Sequence, residues 1–483
     1  MIQSEHTWHT YELNDPIWKS KETSKTVHFQ CNEHPQKTGL LLVGLCGNNA
    51  STLIASIYAN KNKLSWKTRT GVQHSNYYGS VFLSSTTTIP TTMGDVHKGL
   101  NQLMPMVHPN DLIIHGWDIV NKNLYDCLED NHVLEPDLIS QLTSLKSQTP
   151  MPSIFYGDFY ADNQQKRVNN ALSGSKFEHL LEIRRNIKDF KTKNQLDKVV
   201  VLWTASTERF SEIIAGINDT SDNLLQAIKD NHSEIAPSTI FAVASILEGA
   251  IFINGSPQNT LTDAVLELSE KHHGFVAGDD FKSGQTKMKS VLVEFLINAG
   301  MKPLAITSYN HLGNNDGLNL SEHAQFKSKE ISKSNVVDDM IASNPILYKT
   351  QHIDHTVVIK YVPAVGDLKR AMDEYYSEIF MGGKSIISIT NICEDSLLAA
   401  PLIIDLVIFA ELLSRVEYLE GEKYVPISSC LGGLLSYMLK APTVRNGPVI
   451  NALNTQRRCI ENFLRILVNL KPVNDVPLEW VVQ

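Results

Sequence analysis

Gly39-Leu-Leu-Leu-Val-Gly44-Leu-Cys-Gly47-Asn-Asn-Ala50 is the stretch on which the fold turns. Its first six residues form a short apolar run closed by glycine, as in a buried strand. Leu45 to Asn49 make a loop of mostly small residues. Ala50 to Ala59 then predict a helix, with Asn48 or Asn49 as its cap. Strand, glycine-rich turn and helix let backbone N–H groups and a helix N-terminus face a pyrophosphate. The match to G-x-G-x-x-G is incomplete, because Cys46 and Ala50 stand where glycine is expected. No Lys-Ser/Thr follows, so the turn is not an ATP-type P-loop.

Apolar runs recur at Asp111 to His115, Val199 to Trp203, Ala250 to Asn254 and Pro303 to Ser308. Helix-compatible stretches such as Ser175 to Lys191 and Ser283 to Ala299 lie between them. That alternation predicts a parallel sheet in an α/β, Rossmann-type domain. The texture changes after Lys302, where Thr356 to Tyr361 and Lys384 to Asn391 are β-rich and flank a helix-like Leu368 to Met381. The expected organisation is a polar arm (1–38) that wraps another surface, then a dinucleotide-binding domain (39–286). An inserted α+β domain (287–397) follows, and a return segment (398–483) has helices at Leu397 to Leu413 and Cys430 to Leu439.

The chain has 483 residues, 42% of them apolar, and a net charge of −9 with no long basic run. This excludes duplex nucleic acid and anionic membranes as general partners. Pro401, Asp405 and Glu411 interrupt the most apolar stretch, which points to a core helix rather than a membrane span. Met1 to Asp15 has no secretory apolar region. The six cysteines form no Cys-x-x-Cys pair, so a reducing, cytoplasmic setting is expected. The 17 histidines form no His-x-x-x-His pair, and no histidine metal site is expected.

Polar segments follow the apolar runs. Asp118, in Gly116-Trp117-Asp118, reads equally as a ribose acceptor or a helix cap, and Thr204 and Ser206 equally as caps. Gly278 to Lys287 carries Asp279, Asp280, hydroxyls and lysines before an apolar helix. Asn310-His-Leu-Gly-Asn-Asn-Asp-Gly-Leu-Asn-Leu-Ser321 gathers carboxamides, which both donate and accept, with glycines that let backbone approach a ligand. This suits a polyhydroxylated ligand, and equally a plain polar loop. Lys329 and Lys333 share a helix face, either around an anion or as a solvated face.

Taken together, these segments resemble the myo-inositol-1-phosphate synthase family. The resemblance rests on Gly47-Asn48-Asn49, Gly116 to Ile119, Trp203-Thr204-Ala205, Gly255 to Thr260 and Gly278 to Lys287. It continues through Ser308 to Ser321, Ser328 to Met340, Tyr361 to Gly383, Asn391 to Asp405 and Leu439 to Pro442. It implies an NAD-dependent isomerase that makes 1L-myo-inositol 1-phosphate from D-glucose 6-phosphate, the first committed step towards inositol and its phospholipids. The implied route is oxidation at carbon 5, enolisation at carbon 6, aldol closure onto carbon 1 and reduction. It further implies catalytic roles for Lys329, Lys369, Lys440, Asp280 and Asn314, and substrate contacts from Lys333, Ser283, Gln285, Asn310, Leu312 and Gly313.

Cofactor contacts are implied for Gly44, Gly47, Asn48, Asn49, Asp118, Thr204, Ala205, Gly255, Ser256, Asp280 and Ser283, and for Asn314, Asn315, Asp316, Gly366, Asp367, Asp395 and Ser396. A homotetramer built through sheets of the inserted domain is also implied, as is a monovalent (ammonium or potassium) or divalent cation. The family usually has Gly-Trp-Gly-Gly-Asn-Asn-Gly at the turn. Cys46 and Ala50 therefore imply added bulk near the pyrophosphate, with weaker binding or a shifted backbone.

Overall fold

The computed structural model describes residues 1–13, 19–349, 352–445, 447 and 449–473. Parts of the arm (14–18) and of the return segment (474–483) expected from sequence lie outside these described residues.

Thr38–Val43 is a strand with every residue buried. Its side chains alternate between two cores: Leu40 and Leu42 enter one, Leu41 and Val43 the other. A strand covered on both faces needs apolar residues at every position, so the run is continuous rather than alternating. It centres a six-stranded parallel sheet in the order Val276–Ala277, Ile251–Asn254, Lys198–Trp203, Thr38–Val43, Ile113–Asp118, Met151–Pro152. The chain first moves to one side of Thr38–Val43, then returns to build the other. The carboxyl ends of Thr38–Val43 and Lys198–Trp203 therefore flank the point where the winding reverses, the place where such sheets bind ligands.

Asp395–Leu413 is a nineteen-residue helix, apolar and long enough to cross a membrane, yet 89% of its most apolar window is buried within the protein. It packs against the helix Asn48–Lys61 in the first core. Cys430 to Leu439 is not one helix: it splits into Gly432–Leu435 and Ser436–Met438. Gly432 lies against the Thr443 carbonyl, where an added Cβ would sit at 1.8 Å, so backbone proximity dictates its conformation.

A second, four-stranded sheet runs Asp354–Tyr361, Lys302–Leu312, Leu368–Glu378, Lys384–Glu394. The first pair is parallel and the others antiparallel. The helix expected over Leu368 to Met381 is thus a strand. Ala371, Asp373, Tyr375 and Ser377 are buried in alternation, a period of two that overrides the helix preference of Leu, Ala, Met and Glu. The N-terminal residues likewise form two paired strands, Ile2–Glu12 and Lys21–Cys31. The second of these pairs with Val416–Glu420, which joins the arm to the return segment in a third sheet.

Candidate active site

A cleft opens at the reversal point of the parallel sheet. Gly44 ends the central strand with φ +92°, and an added Cβ would lie 2.7 Å from Ala205 Cα on the neighbouring crossover. Only glycine suits that place. Gly47 caps the helix Asn48–Lys61 without a side-chain hydrogen bond, so the first-turn amides stay open towards the cleft. Thr204 Oγ1 donates to the Val43 carbonyl (2.9 Å), and Ser256 Oγ to that of Ala205 (3.0 Å). Gly255 makes room for the Phe281 ring, which an added Cβ would meet at 2.1 Å. Bare amides at the N-terminus of a fourteen-residue helix fit the diphosphate of a dinucleotide.

Cys46 and Ala50 do not crowd this turn. Cys46 Sγ points away, towards the Val120 and Lys122 carbonyls (3.7 and 3.5 Å), and Ala50 is buried in the first core. Asp118 is not a helix cap: the next helix, Leu124–Asn131, is capped by Asn123. The Asp118 carboxylate accepts from the Cys46 and Val120 amides (2.8 and 2.9 Å), and burial raises its pKa.

At the other end of the cleft stands Asp280. Its segment pairs with the return segment through backbone bonds: Lys440 N to Asp280 O (2.7 Å), Lys282 N to Met438 O and Thr443 N to Gly278 O. This ladder sets Lys440 beside Asp280. The Asp280 carboxylate accepts from Lys329 Nζ (2.8 Å), Lys440 Nζ (2.9 Å) and Ser332 Oγ (2.9 Å). Burial opposes its charge, but the Lys329 and Lys440 ammoniums hold it well below the usual carboxylate range. Burial also acts against the charged form of Lys329, yet Asp280 outweighs it and the pKa is raised. Lys440 is pushed down to about 7 by burial, with Lys329 and Lys369 adding repulsion that Asp280 only partly offsets. One carboxylate thus keeps one lysine charged and leaves the second near neutrality. Lys369 Nζ reaches Asp395 (3.3 Å), whose charged form is held by Lys369 and Lys329 against the cost of burial.

Behind this group lies a buried polar cluster. Lys333, one helical turn after Lys329 on His323–Ser334, donates to Asn310 Oδ1 (2.8 Å) and Gln285 Oε1 (3.2 Å). Burial and the surrounding Lys369, Lys440, Lys289 and Lys329 lower its pKa far below the ordinary value. Gln285 stands in the first turn of Gly284–Asn298, whose N-cap Ser283 makes no side-chain cap bond.

The stretch Asn310 to Ser321 is not an open loop. Asn310 to Leu312 end a strand, and Asn315–Asn319 is a short helix capped by Asn314. Asp316 accepts from the Thr207 amide (2.9 Å) and Asn315 Nδ2 donates to Gln164 (3.1 Å), stitching the second sheet to the first.

Gly44, Gly47, Asn48, Asn49, Asp118, Thr204, Ala205, Gly255, Ser256, Asp280, Ser283, Asn314, Asn315, Asp316, Lys329, Lys369, Asp395 and Lys440 all line the cleft. Lys333, Gln285 and Asn310 form the adjoining cluster instead. Leu312 packs with Leu320, Val357 and Ile359, and Gly313 permits contact with the Gly366 amide, which a Cβ would meet at 2.3 Å. Asp367 sits behind the wall, accepting from Ser396 N (3.0 Å), Ser396 Oγ (2.7 Å) and Asn48 Nδ2 (3.4 Å). Sequence reading missed Gln164 and Arg167, which also line the cleft. They lie in Asp-Asn-Gln-Gln-Lys-Arg, a string indistinguishable from a solvated turn.

The family model for Myo-inositol-1-phosphate synthase matches residues 38–465. The chain is 53% identical over 458 residues to the inositol-3-phosphate synthase of Dictyostelium discoideum, covering 93% of this chain and 89% of that one. It is 52% identical over 470 residues to that of Saccharomyces cerevisiae, with 92% and 88% covered. The crystal structure of inositol-3-phosphate synthase from Caenorhabditis elegans superposes with a TM-score of 0.97 at 48% identity, covering 100% of this chain and 96% of that chain. With its NAD-binding fold and this match along nearly its whole length, the chain belongs to the myo-inositol-1-phosphate synthase family.

Proposed function

We propose that this protein isomerises D-glucose 6-phosphate to 1L-myo-inositol 1-phosphate. The observation that carries the reading is the Lys329–Asp280–Lys440 unit, set in one cleft with a dinucleotide turn and backed by the buried Lys333–Gln285–Asn310 cluster. NAD, held by the turn from Gly44 to Asn49 with Thr204, Ala205, Gly255 and Ser256, would take hydride from carbon 5 and later return it. The residues supply the rest.

Loss of hydride from carbon 5 needs a base for its hydroxyl proton. Lys329 is held charged, so it acts as that base only by passing a proton across Asp280 to Lys440, whose pKa of about 7 leaves room for it. The ketone then acidifies carbon 6, and the substrate phosphate, anchored by Lys333, Gln285 and Asn310, helps remove that proton. The enolate attacks the carbon 1 aldehyde. Lys369 and Lys440 stabilise the oxygen that gains charge, most effectively in a site shielded from water.

Incubation with glucose 6-phosphate and sub-stoichiometric NAD tests the reading: inositol phosphate should exceed cofactor many-fold. NADH accumulating one-for-one with sugar would make the protein a net oxidoreductase instead. Among the described residues no group of three or more His, Cys, Asp or Glu side chains could hold a metal ion. We assign the electrophilic role to Lys369 and Lys440; turnover lost on EDTA treatment and restored by a divalent ion would move that role to a metal. Tyr309, Met372, Tyr376, Ile386 and Ile392 are exposed on one face of the four-stranded sheet, which suits assembly into the homotetramer. Ile392→Lys should shift the mass measured by light scattering to smaller species. The cysteines among the described residues are free thiols, in keeping with a cytoplasmic setting.

A further inference from the structure

The phosphate-end cluster contains a carboxylate that the mechanism does not use. Asp373, 4% exposed, lies on Leu368–Glu378 with its side chain turned into the sheet's covered face. Its Oδ1 accepts from Gln285 Nε2 at 2.5 Å and its Oδ2 from the Tyr375 hydroxyl at 3.2 Å. Gln285 Oε1 in turn accepts from Lys333 Nζ at 3.2 Å. A carboxylate only accepts and an ammonium only donates. Turning the Gln285 amide over would set its oxygen against the Asp373 carboxylate, one repulsion in place of the 2.5 Å bond. The amide therefore has one orientation, and Asp373 dictates it. Among the described residues Lys333 has no acidic side chain as a direct hydrogen-bond partner: Asn310 Oδ1 and Gln285 Oε1 are its acceptors. Asp373 is thus the anion at the far end of the chain that aims it.

We infer that Asp373 is a positioning residue for the phosphoryl end of the substrate, acting through Gln285 on Lys333. It does not line the cleft that holds the dinucleotide turn and the Lys329–Asp280–Lys440 unit. Its loss should raise KM more than it lowers kcat, because the phosphate it helps to seat also takes part in removing the carbon 6 proton. The inference rests on the reading of the site as one for a phosphorylated sugar.

The test compares the wild type with Asp373→Asn, Gln285→Leu and the double variant, using glucose 6-phosphate turnover and competitive inhibition by inorganic phosphate. Asp373→Asn should raise KM and the phosphate inhibition constant by roughly tenfold, the scale of one hydrogen bond to a charged group. kcat should fall by less than KM rises, with NAD affinity by calorimetry unchanged. The double variant should be no worse than Gln285→Leu alone, because both changes cut the same chain. Multiplying effects in the double variant, or a fall in kcat and NAD affinity with KM unmoved, would overturn the inference. Should Asp373→Asn fail to fold, Gln285→Leu alone decides: an unchanged phosphate inhibition constant removes the chain from substrate binding. A wild type that makes no inositol phosphate would sink the functional reading instead, while phosphate binding by calorimetry to the same variants still judges Asp373.

Discussion

At one end of the cleft the recognising atoms belong to the backbone; at the other they belong to charged side chains. The dinucleotide turn is shaped by missing atoms, with Gly44 against Ala205 and bare amides beyond Gly47. The lysine end is shaped by charges that restrain one another, with Asp280 shared between Lys329 and Lys440. The first should therefore yield to added volume and tolerate changes that point elsewhere. The second should yield to loss of a single charge.

Asp280→Ala attacks the second end most severely. It leaves Lys329 and Lys440 buried without their shared carboxylate, and we expect a loss of about 3–5 kcal/mol in stability, read by chemical denaturation, with turnover abolished. Lys369→Ala should lower kcat by about 10²–10³ and leave NAD affinity unchanged, since it removes one electrostatic stabiliser. Full turnover in that variant would take Lys369 out of the mechanism. Gly44→Val attacks the first end: roughly 2–3 kcal/mol of backbone strain, plus the clash with Ala205, should weaken NAD binding about a hundredfold by calorimetry.

The pH profile separates the two ends without mutation. Burial depresses the pKa of Lys440 from 10.5 to about 7, so the folded state holds fewer protons than the unfolded chain between those values. Stability from this group rises with pH across that window, and the neutral base becomes available above about 7. We expect kcat/KM to fall by about tenfold per pH unit below the lower limit, and NAD affinity to show no such limb. The smallest effect belongs to Cys46→Gly, which should change NAD affinity less than about threefold because the thiol faces away from the cleft. A larger gain would mean that the turn is strained after all.

The same contrast explains what the sequence revealed. Thr38–Val43 and Lys198–Trp203 are legible because both faces of each strand are buried, leaving unbroken apolar runs. Lys329 and Lys440 are legible only through neighbours matched to a family; nothing local announces their burial. The strand Leu368–Glu378 was hidden because its residues favour helix and only the burial pattern has period two. The N-terminal strands were hidden because most of their residues are exposed, so no apolar face marks them. Asp373 is one acid in Met-Asp-Glu-Tyr-Tyr, and its partner is 88 residues away.

Asp280 and Lys440, bonded at 2.9 Å, are 160 residues apart, with the whole second sheet between them in the chain. A ribosome that has delivered the dinucleotide turn and the second sheet has still not delivered the proton acceptor. The last of these segments to emerge must find Gly278 to Lys282 by backbone pairing before the lysines have a shared counter-ion. Such distant contacts form late in folding. The polypeptide thus becomes competent for chemistry only after nearly all of it has been made and docked.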